Sequence, residues 1–160
     1  MSTPNPLDKL AVALATLGPV GHFPKAPGTW GSLAAVVAAP WLFLSLDLPW
    51  RLAVLLGVFI VGTWGCGRAE IVMNRKDPGS VVVDELFGQW ITLLFFAMPI
   101  WYLAIAFVLF RIFDILKPWP VKWAETAFPG GFGVMLDDGV AGLYALACLH
   151  LIHYAAGLLF

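Results

Sequence analysis

Charge is what this chain lacks. Of its 160 residues, 61% are hydrophobic and 12% are Asp, Glu, Lys or Arg, where a soluble domain carries roughly a quarter charged. So few charges cannot cover a water-facing surface, and the chain reads as integral to a membrane. A net charge of -1 supplies no bulk attraction to nucleic acid, so none is expected as a partner. Cysteine is scarce too. Cys66 and Cys148 lie in apolar runs and read as small buried hydrophobes, not as a disulfide framework. No Cys-x-x-Cys and no Cys/His cluster of zinc spacing occurs. No repeat or low-complexity tract divides the sequence, and the length suits one domain, 1–160.

The apolar runs predict an all-α membrane bundle of about four to five membrane segments. Leu10 to Leu17 reads as a hydrophobic helix lying on or dipping into the membrane; as a signal-peptide core it is short, with a weakly basic flank. Leu33–Leu46 and Leu52–Cys66 are short and close, broken by Asp47-Leu48-Pro49-Trp50-Arg51, and read as a first helical hairpin. Gly67 to Gly79 is polar. Leu86 to Phe110 has no charge but carries Pro99 at its centre, followed by Trp101 and Tyr102. Proline suits a helix end, and Trp and Tyr prefer the interface. The run therefore reads as a second hairpin, Glu85–Met98 out and Ile100–Leu116 back. Val140–Phe160 suits one spanning helix. This folding puts Lys9, Lys25, Arg68, Arg75, Lys76, Arg111, Lys117 and Lys122 on one side and leaves Arg51 opposite. The basic side is then cytoplasmic.

Against this apolar background stand isolated acids: Asp84-Glu85, Asp114 and Asp137-Asp138. Carboxylates at membrane level are costly and mark function by default. As one straight helix, the middle run would hold Asp84 and Asp114 about 45 Å apart; as a hairpin it returns both to one side. Four motifs gather there. Pro24-Lys25-Ala26-Pro27-Gly28-Thr29-Trp30-Gly31-Ser32 precedes an apolar helix that Ser32 is placed to cap, with free N–H groups that favour phosphate. Its bland reading is an ordinary loop and cap. Asp84-Glu85 with Gly88 one turn on suits a metal; acids at a helix start are the bland reading. Arg111, Asp114 and Lys117 share one helical face before Pro118 and Pro120. Gly130-Gly131-Phe132-Gly133 leads to Asp137-Asp138 at the expected head of the last helix, where one cap would need only one acid. His150 and His153 sit well inside the last helix, away from the acids, and are read as hydrogen-bonding within the bundle.

Clustered acids beside basic residues are what a magnesium-dependent phosphate chemistry requires. Asp84, Asp137 and Asp138 lead as metal ligands, with Glu85 and Asp114 behind them. Lys25, Arg111 and Lys117, supported by Thr29 and Ser32, are the candidate phosphate contacts, unless Arg111 instead holds Asp114.

In this order and spacing the strings Ala26-Pro27-Gly28-Thr29 with Gly31-Ser32, Val83-Asp84-Glu85 with Gly88, Phe113-Asp114-Ile115 with Lys117-Pro118 and Pro120, and Gly130-Gly131 through Asp137-Asp138 to Ala141-Gly142 resemble the phosphatidylglycerophosphatase A family of bacterial membranes. The resemblance covers roughly residues 18 to 145. It implies Mg²⁺-dependent hydrolysis of phosphatidylglycerol phosphate to phosphatidylglycerol, a step of phospholipid synthesis, at the cytoplasmic membrane. His22 stands where the family more often has a small or apolar residue. Other phosphatase solutions are missing: neither cysteine has Arg six residues on, and no Asp-x-Asp, Ser-Gly-His or Lys-x6-Arg-Pro occurs. A headgroup phosphotransferase would show Asp-Gly-x-x-Ala-Arg, but Asp138-Gly139-x-Ala141 lacks the Arg. A transporter would line its acids along a midplane pore.

Overall fold

Proline opens three of the helices, because a residue without an N–H loses nothing in a first turn. Pro6 starts α1 (Pro6–Ala15) behind Asn5, whose side chain accepts from the Leu7 N–H at 3.2 Å. Pro27 starts α2 (Pro27–Leu42), and Pro49 sits in the first turn of α3 (Leu48–Met73). Asn74 ends α3 in the left-handed conformation, φ 49°. The remaining helices are α4 (Val83–Thr92), α5 (Tyr102–Leu116), α6 (Val121–Ala127) and α7 (Gly131–Leu159), with a short 3-10 turn at Val20–His22. This computed structural model describes residues 5–159, and no strand occurs among them.

α4 and α7 form the central pair. Two glycines make it close: a Cβ at Gly142 would stand 2.3 Å from the Gly88 carbonyl oxygen, and one at Gly88 would stand 2.5 Å from that of Asp138. Buried Thr92 Oγ1 donates to its own helix at Gly88 O, 3.0 Å, and lies 3.3 Å from Gly142 O across the interface. α2 joins through Trp90 Nε1, which donates to Ala35 O at 3.0 Å. α3 packs on α7 and α1, and α5 and α6 pack on α7.

The segments differ from expectation in three places. Leu86–Phe110 is two helices, but the first leg stops at Thr92 and residues 93–101 are turns and bends. α2 and α3, expected as a hairpin, do not pack along one another; α4 lies against both. The last helix starts at Gly131, not near Val140, after Gly130 turns the chain in the left-handed region at φ 66°.

This is a membrane protein. α3 and α7 are long and apolar enough to cross a bilayer. Trp41, Leu56, Ile60 and Leu151, on three different helices, are 59–72% exposed, as large apolar side chains facing lipid would be. α2, with 16 residues, and α5, with 15, are about 24 and 22 Å long, short of a hydrocarbon core of about 30 Å. At the far end, Arg51 turns inward from α3. It donates to the carbonyls of Leu46, Leu94 and Leu44 at 2.9, 2.9 and 2.8 Å, so it ties the 93–101 segment to the α2–α3 connection.

Candidate active site

Asp84 and Glu85 occupy the first turn of α4, where the helix dipole favours acids. The last two turns of α5 bring Arg111 and Asp114, and Lys117 ends that helix in the left-handed conformation at φ 42°. Asp137 and Asp138 lie about two turns inside α7. They do not cap it, because the helix begins earlier than the glycine-rich stretch suggested. These elements enclose a cavity of about 120 Å³ lined by Asp84, Glu85, Asp114, Lys117, Asp137 and Asp138.

The acids divide into two groups. Asp84, Glu85 and Asp138 each offer an oxygen, and these oxygens all lie within 4.8 Å of one another. Asp84 Oδ1 and Glu85 Oε2 are buried without a hydrogen-bond partner. Orphaned carboxylate oxygens in an apolar bundle are costly. Three hard oxygen donors so placed suit a divalent cation such as Mg²⁺. The other acids are held by cations. Arg111 Nη1 lies 2.6 Å from Asp114 Oδ2 and 3.8 Å from Glu85 Oε1. Lys117 Nζ lies 2.6 Å from Asp137 Oδ2 and 3.1 Å from Glu125 Oε2. Burial opposes the Lys117 charge, but Asp137 and Glu125 outweigh it and raise the ammonium pKa above its ordinary value. Asp137 Oδ1 accepts from the Asp138 N–H at 3.0 Å. Asp137, expected among the leading ligands, thus faces Lys117 and stands outside the close group of three.

The first motif arrives differently from its sequence reading. Ser32 is buried in the second turn of α2, not at its cap. Its hydroxyl donates to Gly28 O at 2.9 Å and accepts from Arg111 Nη1 at 3.3 Å. A Cβ on Gly28 would stand 2.1 Å from Glu85 Oε1, so glycine is what lets α2 close over that carboxylate. Thr29 is half-buried and Lys25 exposed, and neither lines the cavity. His22 is also elsewhere: it lines an apolar cavity against α1, with Nδ1 3.0 Å from Gly18 O. His150 Nδ1 lies 2.9 Å from Leu146 O in its own helix, and the His153 ring meets Tyr102 edge-on.

Two acids on the cavity wall escaped the sequence reading, Asp77 and Glu125. Asp77 sits in a polar turn in the left-handed region, φ 43°. Its N–H donates to Glu70 Oε1 at 3.0 Å. Burial pushes its carboxyl above the ordinary range, against the opposing pull of Lys117. Glu125 reaches Lys117 because α6 folds back after Pro118 and Pro120. Its signal was that of the other acids: a lone carboxylate among apolar neighbours. Gln89, one turn beyond Glu85, is fully buried with both amide atoms unpartnered.

A family model described as Phosphatidylglycerophosphatase A matches residues 13–153. A protein of Escherichia coli (strain K12) named Phosphatidylglycerophosphatase A is 41% identical over 97% of this chain and 89% of its own. One of the same name from Haemophilus influenzae is 36% identical over 94% of this chain and 90% of its own. A Bacteroides thetaiotaomicron protein, provisionally named a phosphatidylinositol-3-phosphatase, is 40% identical over 92% of this chain and 96% of its own. No solved structure matches the chain.

Proposed function

The chain belongs to the phosphatidylglycerophosphatase A family, and on that premise we propose that it removes the terminal phosphate of phosphatidylglycerol phosphate, with Mg²⁺ as cofactor. The products are phosphatidylglycerol and inorganic phosphate. The enzyme is a phosphoric monoester hydrolase. The observation that carries the cofactor is the close group Asp84, Glu85 and Asp138 with its orphaned oxygens. Charge supports it. Asp77, Asp84, Glu85, Asp114, Glu125, Asp137 and Asp138 line the cavity, and among the described residues Lys117 is its one basic lining residue. A phosphate dianion will not enter so negative a space unless bound cations offset it.

Asp84, Glu85 and Asp138 are the residues that would hold the ion. Bound there, it supplies charge neutralisation and polarises the phosphate oxygens. Lys117 and Arg111 hold Asp137 and Asp114 at the cavity wall. In the net reaction the bond from phosphorus to the primary glycerol oxygen breaks, and the hydroxyl of a water ends on phosphorus. The remaining proton of that water passes to the leaving glycerol oxygen, with a cavity carboxylate placed to relay it.

We place the chain in a bacterial cytoplasmic membrane, multi-pass, with this cavity on the cytoplasmic side, because the basic residues and the acid motifs share that end. Labelling of single cysteines tests the topology: positions 76 and 122 should react from inside, and 48 or 100 from outside. Labelling of position 122 from outside overturns it. The activity test is phosphate release by purified protein from phosphatidylglycerol phosphate, with Mg²⁺ and after chelation. Release that survives chelation removes the cofactor. Faster release from phosphatidylinositol 3-phosphate, the substrate named for the Bacteroides relative, reassigns the substrate.

A further inference from the structure

The acid cavity has room for a phosphate and little else, at about 120 Å³. Its lining cation is already engaged, Lys117 by Asp137 and Glu125, and nearby Arg111 is held by Asp114 and Glu85. The substrate read above carries two phosphates bridged by a glycerol. The terminal monoester belongs among the acids. The phosphodiester, a second anion, needs another place and another cation.

A second cavity, of about 410 Å³, opens beside the first. Gly79 lines both. Phe23, Pro24, Pro27 and Met73 give it apolar walls, and Arg75 lines it as well. Among the described residues no carboxylate pairs with Arg75. We propose that this cavity is the subsite for the phosphodiester of the lipid headgroup, with Arg75 as its cationic contact. A guanidinium offers parallel N–H donors that match two phosphate oxygens. The apolar walls suit the glycerol carbons and the first carbons of the diacylglycerol. The subsite makes Arg75 a determinant of specificity for diester-bearing headgroups. This rests on the substrate reading above.

The two products separate the two cavities. Phosphatidylglycerol keeps the diester, and inorganic phosphate is the group released among the acids. In detergent micelles of fixed lipid fraction, Arg75→Ala should raise KM for phosphatidylglycerol phosphate and the inhibition constant of phosphatidylglycerol together, each about tenfold. The inhibition constant of inorganic phosphate should stay at the wild-type value, and Arg75→Lys should recover part of the loss. Arg75 is exposed, so neither variant threatens the fold. Unchanged constants throughout for Arg75→Ala overturn the subsite, and so does an equal rise for both products. Failure of the wild-type protein to hydrolyse phosphatidylglycerol phosphate overturns the substrate reading itself, and the subsite with it. Wild-type hydrolysis with an indifferent Arg75→Ala removes the subsite alone.

Discussion

The two ends of the bundle treat buried charge in opposite ways. At the far end Arg51 sends its donors to three backbone carbonyls and lies over the Phe43 ring, 5.8 Å from its centroid. None of its donors is left orphaned. At the acid end, Asp84 Oδ1, Glu85 Oε2 and Arg111 Nε are buried with no partner. A polar group that serves only the fold is satisfied within the fold, because each orphan costs free energy. The groups left open at the acid end include Asp84 and Glu85, which are proposed above to hold a bound ion. The difference is one of satisfaction: the charge at the far end is paired within the fold, and those at the acid end are not.

The sharpest break of this contrast is at the open end. Asp84→Asn or Asp138→Asn should lower phosphate release by a factor of at least about 100, a few kcal/mol of lost transition-state stabilisation. The same changes should leave the melting temperature in detergent unchanged or raised, since they remove buried charge. A drop in stability that matches the drop in activity would mean these acids hold the fold. At the closed end the order reverses. Arg51→Leu strands three carbonyls, each worth about 1–3 kcal/mol when buried and unpaired. Thermal unfolding should come markedly earlier, while the folded fraction, assayed below its transition, keeps its turnover per molecule.

Gly88→Ala tests how the closed framework serves the open site. Its Cβ would stand 2.4 Å from the Phe110 ring and 2.5 Å from Asp138 O. Overpacking of this kind costs about 1–3 kcal/mol. It also displaces the backbone that carries Asp138, so both stability and activity should fall, measured by unfolding and phosphate release. Gly57→Ala is the control at the lipid-facing surface of α3, where a Cβ meets nothing within 4 Å. There the helix preference for alanine should add up to about 1 kcal/mol of stability and leave turnover alone.

Much of the site was legible because acids are expensive in an apolar chain. Asp84, Glu85, Asp114, Asp137 and Asp138 stand out by that logic, and all five line one cavity. The logic also applies to Asp77 and Glu125, but their neighbours hid them. Asp77 lies in a stretch with Arg75 and Lys76 that reads as solvated loop, and Glu125 follows two prolines with no periodic pattern around it. Ser32 was read from a cap rule, yet the helix starts at Pro27, five residues earlier, as proline in a first turn allows.

Composition and motif order by themselves therefore pointed to a membrane protein of helices that gathers its costly acids together, because the cost of charge in lipid leaves few reasons to retain it. Only the tertiary structure decided how the acids divide. Asp138 joins Asp84 and Glu85, while its neighbour Asp137 faces Lys117, since adjacent residues on a helix point about 100° apart and the packing partner on each side determines what they meet. It alone assigned Arg51 to the framework, too. Sequence counts a charge; whether that charge is satisfied depends on which distant carbonyls or carboxylates the packing brings within reach.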